Sequence, residues 1–289
     1  MPKIILTVRL LMVLLAVPAL GQLMGLRAPS TVSAGSSFSI TTTGSGPATF
    51  YLLGPSHVVK QTIQLGQDLP ISGSDVAASG SYQAVACDSV GCTSTAFYVL
   101  PSFPAGLRFL LHPSRVPVSA GNAINATALV YDRFDNTVLA PTPVEFHFSS
   151  AGVPPYTRSV ATTRGIAWLQ LGSSSKQGPL RVVASVGETA EPRVIQQVAS
   201  EACGLRMQAA SSSRSVKLET DPIRDCSGNP VPDGTVVSFT KVDDAGRSTV
   251  DTPIKKGIAR AQFAVSGRAR ISVACGVVLG NEISVEGEP

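Results

Sequence analysis

The chain has 289 residues, of which 15% are charged, and a formal net charge of +4. So mild a balance gives no electrostatic case for nucleic acid or an anionic membrane surface as partner. Five cysteines point to disulfides with one thiol left over, and no cofactor is signalled.

The chain opens "MPKIILTVRLLMVLLAVPALGQ": a basic start at Lys3, Arg9 a little further in, an apolar run from Leu10 to Val17, then Pro18, Ala19 and Gly21. That order predicts a secretory signal peptide over residues 1–21, cut after Gly21. The competing reading is an uncleaved anchor over Ile4 to Leu20, which Arg9 interrupts. No later stretch is long and apolar enough for a membrane span. The mature chain is therefore expected outside the cytoplasm, secreted or held in the periplasm or at the cell surface.

From residue 22 on, short runs alternate apolar and polar residues and are broken by Gly, Pro and Asn. The first segment, residues 22–102, ends in "GSYQAVACDSVGCTSTAFYVL" (Gly80 to Leu100), two alternating strands around a short turn. Cys87 and Cys92 flank that turn, so a hairpin-closing disulfide is predicted. The linker "PSFPAG" follows. A second segment, residues 103–199, holds "VEFHF" and "IAWLQL", and a third, residues 200–289, holds "TVVSFT", "ARAQFAV" and "ARISVAC". Turn signals recur roughly every ten residues, as in an all-β sandwich.

The second and third segments repeat one design. "YDRFDNTVLAPTPVEFHF" (Tyr131 to Phe148) lies over "RDCSGNPVPDGTVVSFTK" (Arg224 to Lys241), so that Asp132 falls on Asp225, Asn136 on Asn229, Val144 on Val237 and Phe146 on Phe239. "GIAWLQL" from Gly165 matches "GIARAQF" from Gly257, and "AGLRF" from Ala105 matches "CGLRM" from Cys203. The first segment is more distant and lacks both the D…N turn and the GIA strand.

The D-x-x-G-N-P-V turn leading into V-x-F (Asp225, Gly228, Asn229, Pro230, Val231, Val237, Phe239), with the Gly-Ile-Ala strands and the late "VVASV" strand, resembles bacterial group 1 immunoglobulin-like domains. These are the repeats of invasin- and intimin-type adhesins. The second segment departs from the pattern, with Asp135 for the glycine and Thr137 for the proline. The resemblance covers about two-thirds of the chain and implies rods, spacers and adhesive tips without catalysis. With the first segment read as a divergent, only generically immunoglobulin-like sandwich, three immunoglobulin-like β-sandwiches in tandem are expected.

Within such a sandwich the start of the first strand and the end of the penultimate strand share a pole. Leu205 and Met207 carry an inward parity that extends to Cys203, while Ile271, Val273 and Cys275 share one face. A Cys203–Cys275 bridge is expected, with Cys226 as the unpaired thiol. Cys226–Cys275 is the runner-up, and a three-cysteine zinc site would lack a fourth ligand.

The remaining candidates are weighed against plainer readings. Asp225, Asn229 and Asp233 could hold calcium, but the spacing lacks the alternating oxygens and bidentate Glu of an EF-hand, and Asp, Gly, Asn and Pro are turn formers. His57, His112 and His147 lack metal-ligand spacing and read as surface residues. No nucleophile elbow, P-loop or H-E-x-x-H motif is present, so an enzyme is not expected. In Gly165 to Leu171, Ala167, Leu169 and Leu171 face in and Trp168 faces out. Trp168 is either a carbohydrate or protein contact or is covered by a neighbouring domain or loop.

The expected function is a structural spacer or adhesin-like module whose partner is a protein or glycan at the cell surface or matrix. Alternatives are an accessory carbohydrate-binding protein working beside a separate enzyme, and a periplasmic chaperone-like or envelope protein.

Overall fold

The computed structural model describes residues 23–212 and 215–287. The predicted signal peptide lies outside them. The chain divides into two compact units, one ending at Ser102 and the other beginning at Phe103.

The first unit holds β1 (Gly25–Arg27), β2 (Thr31–Ser33), β3 (Phe38–Thr43) and β4 (Pro47–Leu53). It continues with β5 (Val58–Gln64), β6 (Asp68–Ile71), β7 (Gly80–Cys87) and β8 (Cys92–Leu100). They form two sheets, ordered β1-β3-β6 and β2-β8-β7-β4-β5. Phe50, Leu52, Ile40 and Tyr82 are buried between them. The Tyr82 hydroxyl donates to the Ala78 carbonyl at 3.0 Å, the tyrosine-corner contact of immunoglobulin-like sandwiches, and burial pushes its pKa up. Gly54 packs so tightly on this ring that a Cβ there would stand 2.4 Å from it. Cys87 and Cys92 are bonded across the β7–β8 hairpin at 2.03 Å.

The second unit begins with β9 (Pro104–His112), β10 (Arg115–Pro117), β11 (Ile124–Asp132) and β12 (Pro143–Ser150). Next come β13 (Val153–Ala161), β14 (Ile166–Leu171), β15 (Gly178–Val186) and β16 (Thr189–Val198). The sheets β14-β11-β9 and β10-β16-β15-β12-β13 enclose a core centred on Phe109, Phe146 and Phe148. Alternation decides which residues enter it: on β11, Ile124, Ala126, Ala128 and Val130 are buried while Asn125, Thr127, Leu129 and Tyr131 turn outward.

The same unit ends with β17 (Met207–Ser212), β18 (Ser215–Thr220), β19 (Val236–Asp243) and β20 (Gly246–Pro253). The last strands are β21 (Arg260–Ala264), β22 (Gly267–Cys275) and β23 (Val278–Gly287). The sheets are β17-β18-β21 and β20-β19-β22-β23, and their separate core includes Phe239, Val237, Leu218 and Ile271. The protein is thus all-β, built of tandem immunoglobulin-like sandwiches.

The expected Cys203–Cys275 bridge is corrected here. Cys203 is bonded to Cys226 at 2.07 Å, and Cys275 is a buried thiol. The reason is local. Gly204 turns the chain with φ +67°, so β17 begins only at Met207 and the inward parity does not reach back to Cys203. The segment before Gly204 instead pairs with the turn after Arg224: the Cys203 N–H donates to the Arg224 carbonyl at 2.7 Å, and Ala202 bridges Asp225. That brings Cys203 beside Cys226. Cys275 faces Val237 across β22 and β19, and is 5% exposed in the core. Val186 ends β15 as Cys275 ends β22, so the thiol occupies a core hydrophobe's place. Burial pushes its pKa up.

Candidate functional site: a sheet face and a domain joint

Two features stand out from the uniform β framework. One is the Asp225 turn. Asp225 is buried, and its Oδ1 accepts the N–H groups of Ser227 at 2.9 Å and Asn229 at 2.8 Å. Its Oδ2 accepts the Asn229 amide at 3.0 Å and the Ser200 N–H at 3.1 Å. Gly228 supplies the left-handed residue at φ +82°, where Asp135 stands at φ +63° in the preceding copy. Burial pushes the Asp225 carboxyl up, but the bonds from the Asn229 side chain and from the Asn229, Ser200 and Ser227 N–H groups outweigh it. The pKa is held below the ordinary carboxylate value.

The turn also reaches into the preceding sandwich. The Asn229 amide donates to the Ser175 carbonyl at 2.8 Å, and its Oδ1 accepts the Gln177 N–H at 3.1 Å. The Ser227 and Ser119 hydroxyls meet at 2.9 Å. One buried side chain, Asn229, therefore closes its own turn and joins the loop between β14 and β15. Beside it, a cleft of about 900 Å³ is lined by Pro117 and Val118, by the linker at Ala199 to Ala202, and by Cys226 and Cys275.

The other candidate calcium ligand belongs elsewhere. The Asp233 carboxylate accepts the N–H groups of Lys256 at 2.8 Å and Gly257 at 3.0 Å, bracing the hairpin before β21. Those bonds lower its pKa. His147 lies on the outer side of β12, 2.8 Å from the Thr157 hydroxyl.

The second feature is the outer face of β14-β11-β9. Trp168 lies opposite Thr127, and Thr127 lies opposite Leu110, so the three form one cross-strand row. Trp168 is 55% and Leu110 65% exposed. The next row is Arg108, Leu129 and Ile166, with Ile166 46% exposed. Arg108 sits over the Tyr131 ring at 5.5 Å from its centroid. Sequence parity singles out Trp168 but not Leu110, because Leu110's place in the Trp168 row depends on the pairing of β9 with β11, which no local pattern encodes.

No family model matches the chain, and no curated protein sequence matches it. Solved structures do. FdeC, an adhesin of Escherichia coli, is similar over 93% of this chain and 97% of its own at 13% identity, with a TM-score of 0.63. InvD of Yersinia pseudotuberculosis is similar over 93% of this chain and 98% of its own at 9% identity, with a TM-score of 0.50. The fold of this chain is the tandem immunoglobulin-like sandwich that it shares with these bacterial proteins, in keeping with the invasin- and intimin-type repeats its turn and strand motifs resemble.

Proposed function

We propose that the chain is an exported, non-enzymatic repeat protein of three immunoglobulin-like domains, at about residues 22–102, 103–199 and 200–289. It acts as a spacer and adhesive module at the cell surface. The observation that carries this reading is the joint at Asn229, which bonds the second domain's Ser175–Gln177 loop to the third domain's Asp225 turn, between β18 and β19. Surface spacers need such joints, because a string of freely jointed domains would not hold an adhesive face away from the cell. Two disulfides support an oxidising compartment, and the fold shared with FdeC supports a surface role. Among the described residues no helix is long and apolar enough to cross a membrane.

Cell fractionation with N-terminal sequencing, followed by whole-cell binding, tests it. A mature chain beginning at Gln22, held at the surface and increasing adhesion to host cells or matrix, is expected. A chain kept in the cytoplasm with Met1 in place overturns it. An accessory carbohydrate-binding role would call for aromatic neighbours around Trp168, whereas its row consists of Thr127 and Leu110.

A further inference from the structure

The outer face of β14-β11-β9 has an unusual composition for a solvated sheet. Its outward residues are Ile166, Trp168 and Gln170 on β14, Asn125, Thr127, Leu129 and Tyr131 on β11, and Arg108, Leu110 and His112 on β9. None is acidic. Trp168 and Ile166 are two residues apart on β14, Leu129 lies opposite Ile166, and Leu110 stands across Thr127 from Trp168, so the apolar side chains fall in two adjacent rows of the ladder.

Charge gathers at one end. Arg108 is in the row of Leu129 and Ile166, Arg133 follows the end of β11, and Arg164 occupies the turn just before β14. The Val130 N–H donates to the Gly165 carbonyl, so that turn lies against the last part of β11. Acids nearby are already engaged: the Asp132 carboxylate accepts the N–H groups of Phe134 at 2.8 Å and Asn136 at 3.0 Å and the Asn136 amide at 3.0 Å. Asp135 is 3.9 Å from Arg108, and Glu191 is held by Arg193 at 2.8 Å and by the Phe109 N–H at 3.2 Å. Arg133 and Arg164 have no acidic partner among the described residues. With Glu191 and Arg193 cancelling, Arg108, Arg133 and Arg164 stand against Asp132 and Asp135, so this end of the face carries one net positive charge.

The matched face of the third sandwich shows that the framework does not require this chemistry. There the row is Gln208, Glu219 and Arg260, with Arg260 and Glu219 paired at 2.6 Å. A sheet of this register thus accommodates an amide in the place of Leu110 and a charge pair in the places of Thr127 and Trp168.

We infer that the β14-β11-β9 face is a protein-docking surface that accepts an apolar patch bordered by acidic residues. The inference rests on the adhesive reading above and names the partner class. Trp, Tyr and Arg are the side chains that concentrate binding energy at interfaces, and all three are here. Exposed Ile166 next to the indole, and Leu110 across Thr127 from it, favour an apolar protein surface over a sugar, whose hydroxyls they would desolvate without partners. The arginines select the sign of the partner and speed its approach.

Trp168 is the chain's single tryptophan, so its fluorescence reports on this face alone. Two synthetic peptides with the same Phe-Leu-Ile centre, one flanked by Asp and Glu and the other by Lys and Arg, are titrated into the full mature chain. The acidic peptide is expected to blue-shift the emission saturably, with an affinity that falls as salt rises. Leu110→Asp should weaken it about tenfold or more, while Arg260→Gln on the third sandwich leaves it unchanged and melting temperatures stay level. Equal response to both peptides, or none that saturates, overturns the inference. A shift produced only by an acidic polysaccharide assigns the face to a glycan, and one that grows with protein concentration alone assigns it to a second copy; either overturns it. Whole-cell adhesion that survives Leu110→Asp leaves the adhesive reading standing and removes this face from it. A peptide response without any adhesion does the reverse.

Discussion

In the second sandwich the row Leu110–Thr127–Trp168 meets solvent, and in the third the same register carries Gln208–Glu219–Arg260. Inside, the two copies keep one chemistry: Val144 and Phe146 are buried on β12 as Val237 and Phe239 are on β19. The contrast separates what the fold requires from what it leaves free. Inward positions are bound by packing, whereas outward positions of an antiparallel sheet answer only to solvent or a partner.

The largest way to test that division is to strike both cores. Phe146→Ala and Phe239→Ala should each cost about 3–5 kcal/mol in denaturant unfolding followed within its own sandwich. A loss well under that in one copy would show that the cores are not equivalent. Removing the Cys203–Cys226 bond by Cys226→Ser should cost about 3 kcal/mol in the third sandwich, for a loop of sequence separation 23. The Cys87–Cys92 bond, at separation 5, closes a much smaller loop and should matter less.

Asn229→Ala should destabilise by about 1–3 kcal/mol, because it leaves the Asp225 carboxylate short of donors and the Ser175 carbonyl unmet. Proteolysis at the linker around Ala199 to Ala202 should quicken at the same time. Unchanged cleavage would show that the joint does not depend on this amide. Acid tests it in another way. A carboxyl whose folded pKa lies below its unfolded value stabilises in full above about pH 4 and loses that contribution as pH falls through the folded pKa. Asp225 and Asp233 are both lowered, so thermal stability of the third sandwich should be flat from neutral pH down to about 4 and decline below it. Decline that begins well above that window would point to another group.

The smallest expected effect is the sharpest for the comparison. Trp168→Arg with Thr127→Glu installs the third sandwich's pair on the second and should move stability by no more than about 0.5 kcal/mol. A larger loss would mean that the apolar row is structural after all.

Much of this was readable in the residues. The D…N turn, the GIA strand and the V-x-F strand fixed the repeat and its all-β class, because each is a short-range pattern with its own hydrogen bonds or alternation. Parity in Gly165 to Leu171 set Trp168 against Ala167 and Leu169. What could not be read depends on contacts distant in sequence. The Cys203 pairing turns on the positive φ of Gly204, which the matching Gly106 does not share, and on the bridge from Ala202 to Asp225. Asn229 read as a turn former, and its bonds to Ser175 and Gln177 belong to a loop more than fifty residues earlier. Tyr82 was missed as well, although "GSY" at the start of β7 is where a tyrosine corner falls.

The bond between Cys203 and Cys226 has a mechanical meaning. A pull entering the third sandwich from its linker arrives at Cys203 and passes through sulfur to Cys226 without travelling the chain between them. β17 and β18 lie inside that loop. They are shielded from tension while the bond is intact, so the load falls on the strands from β19 onward, and the sandwich cannot be peeled open from its first strand.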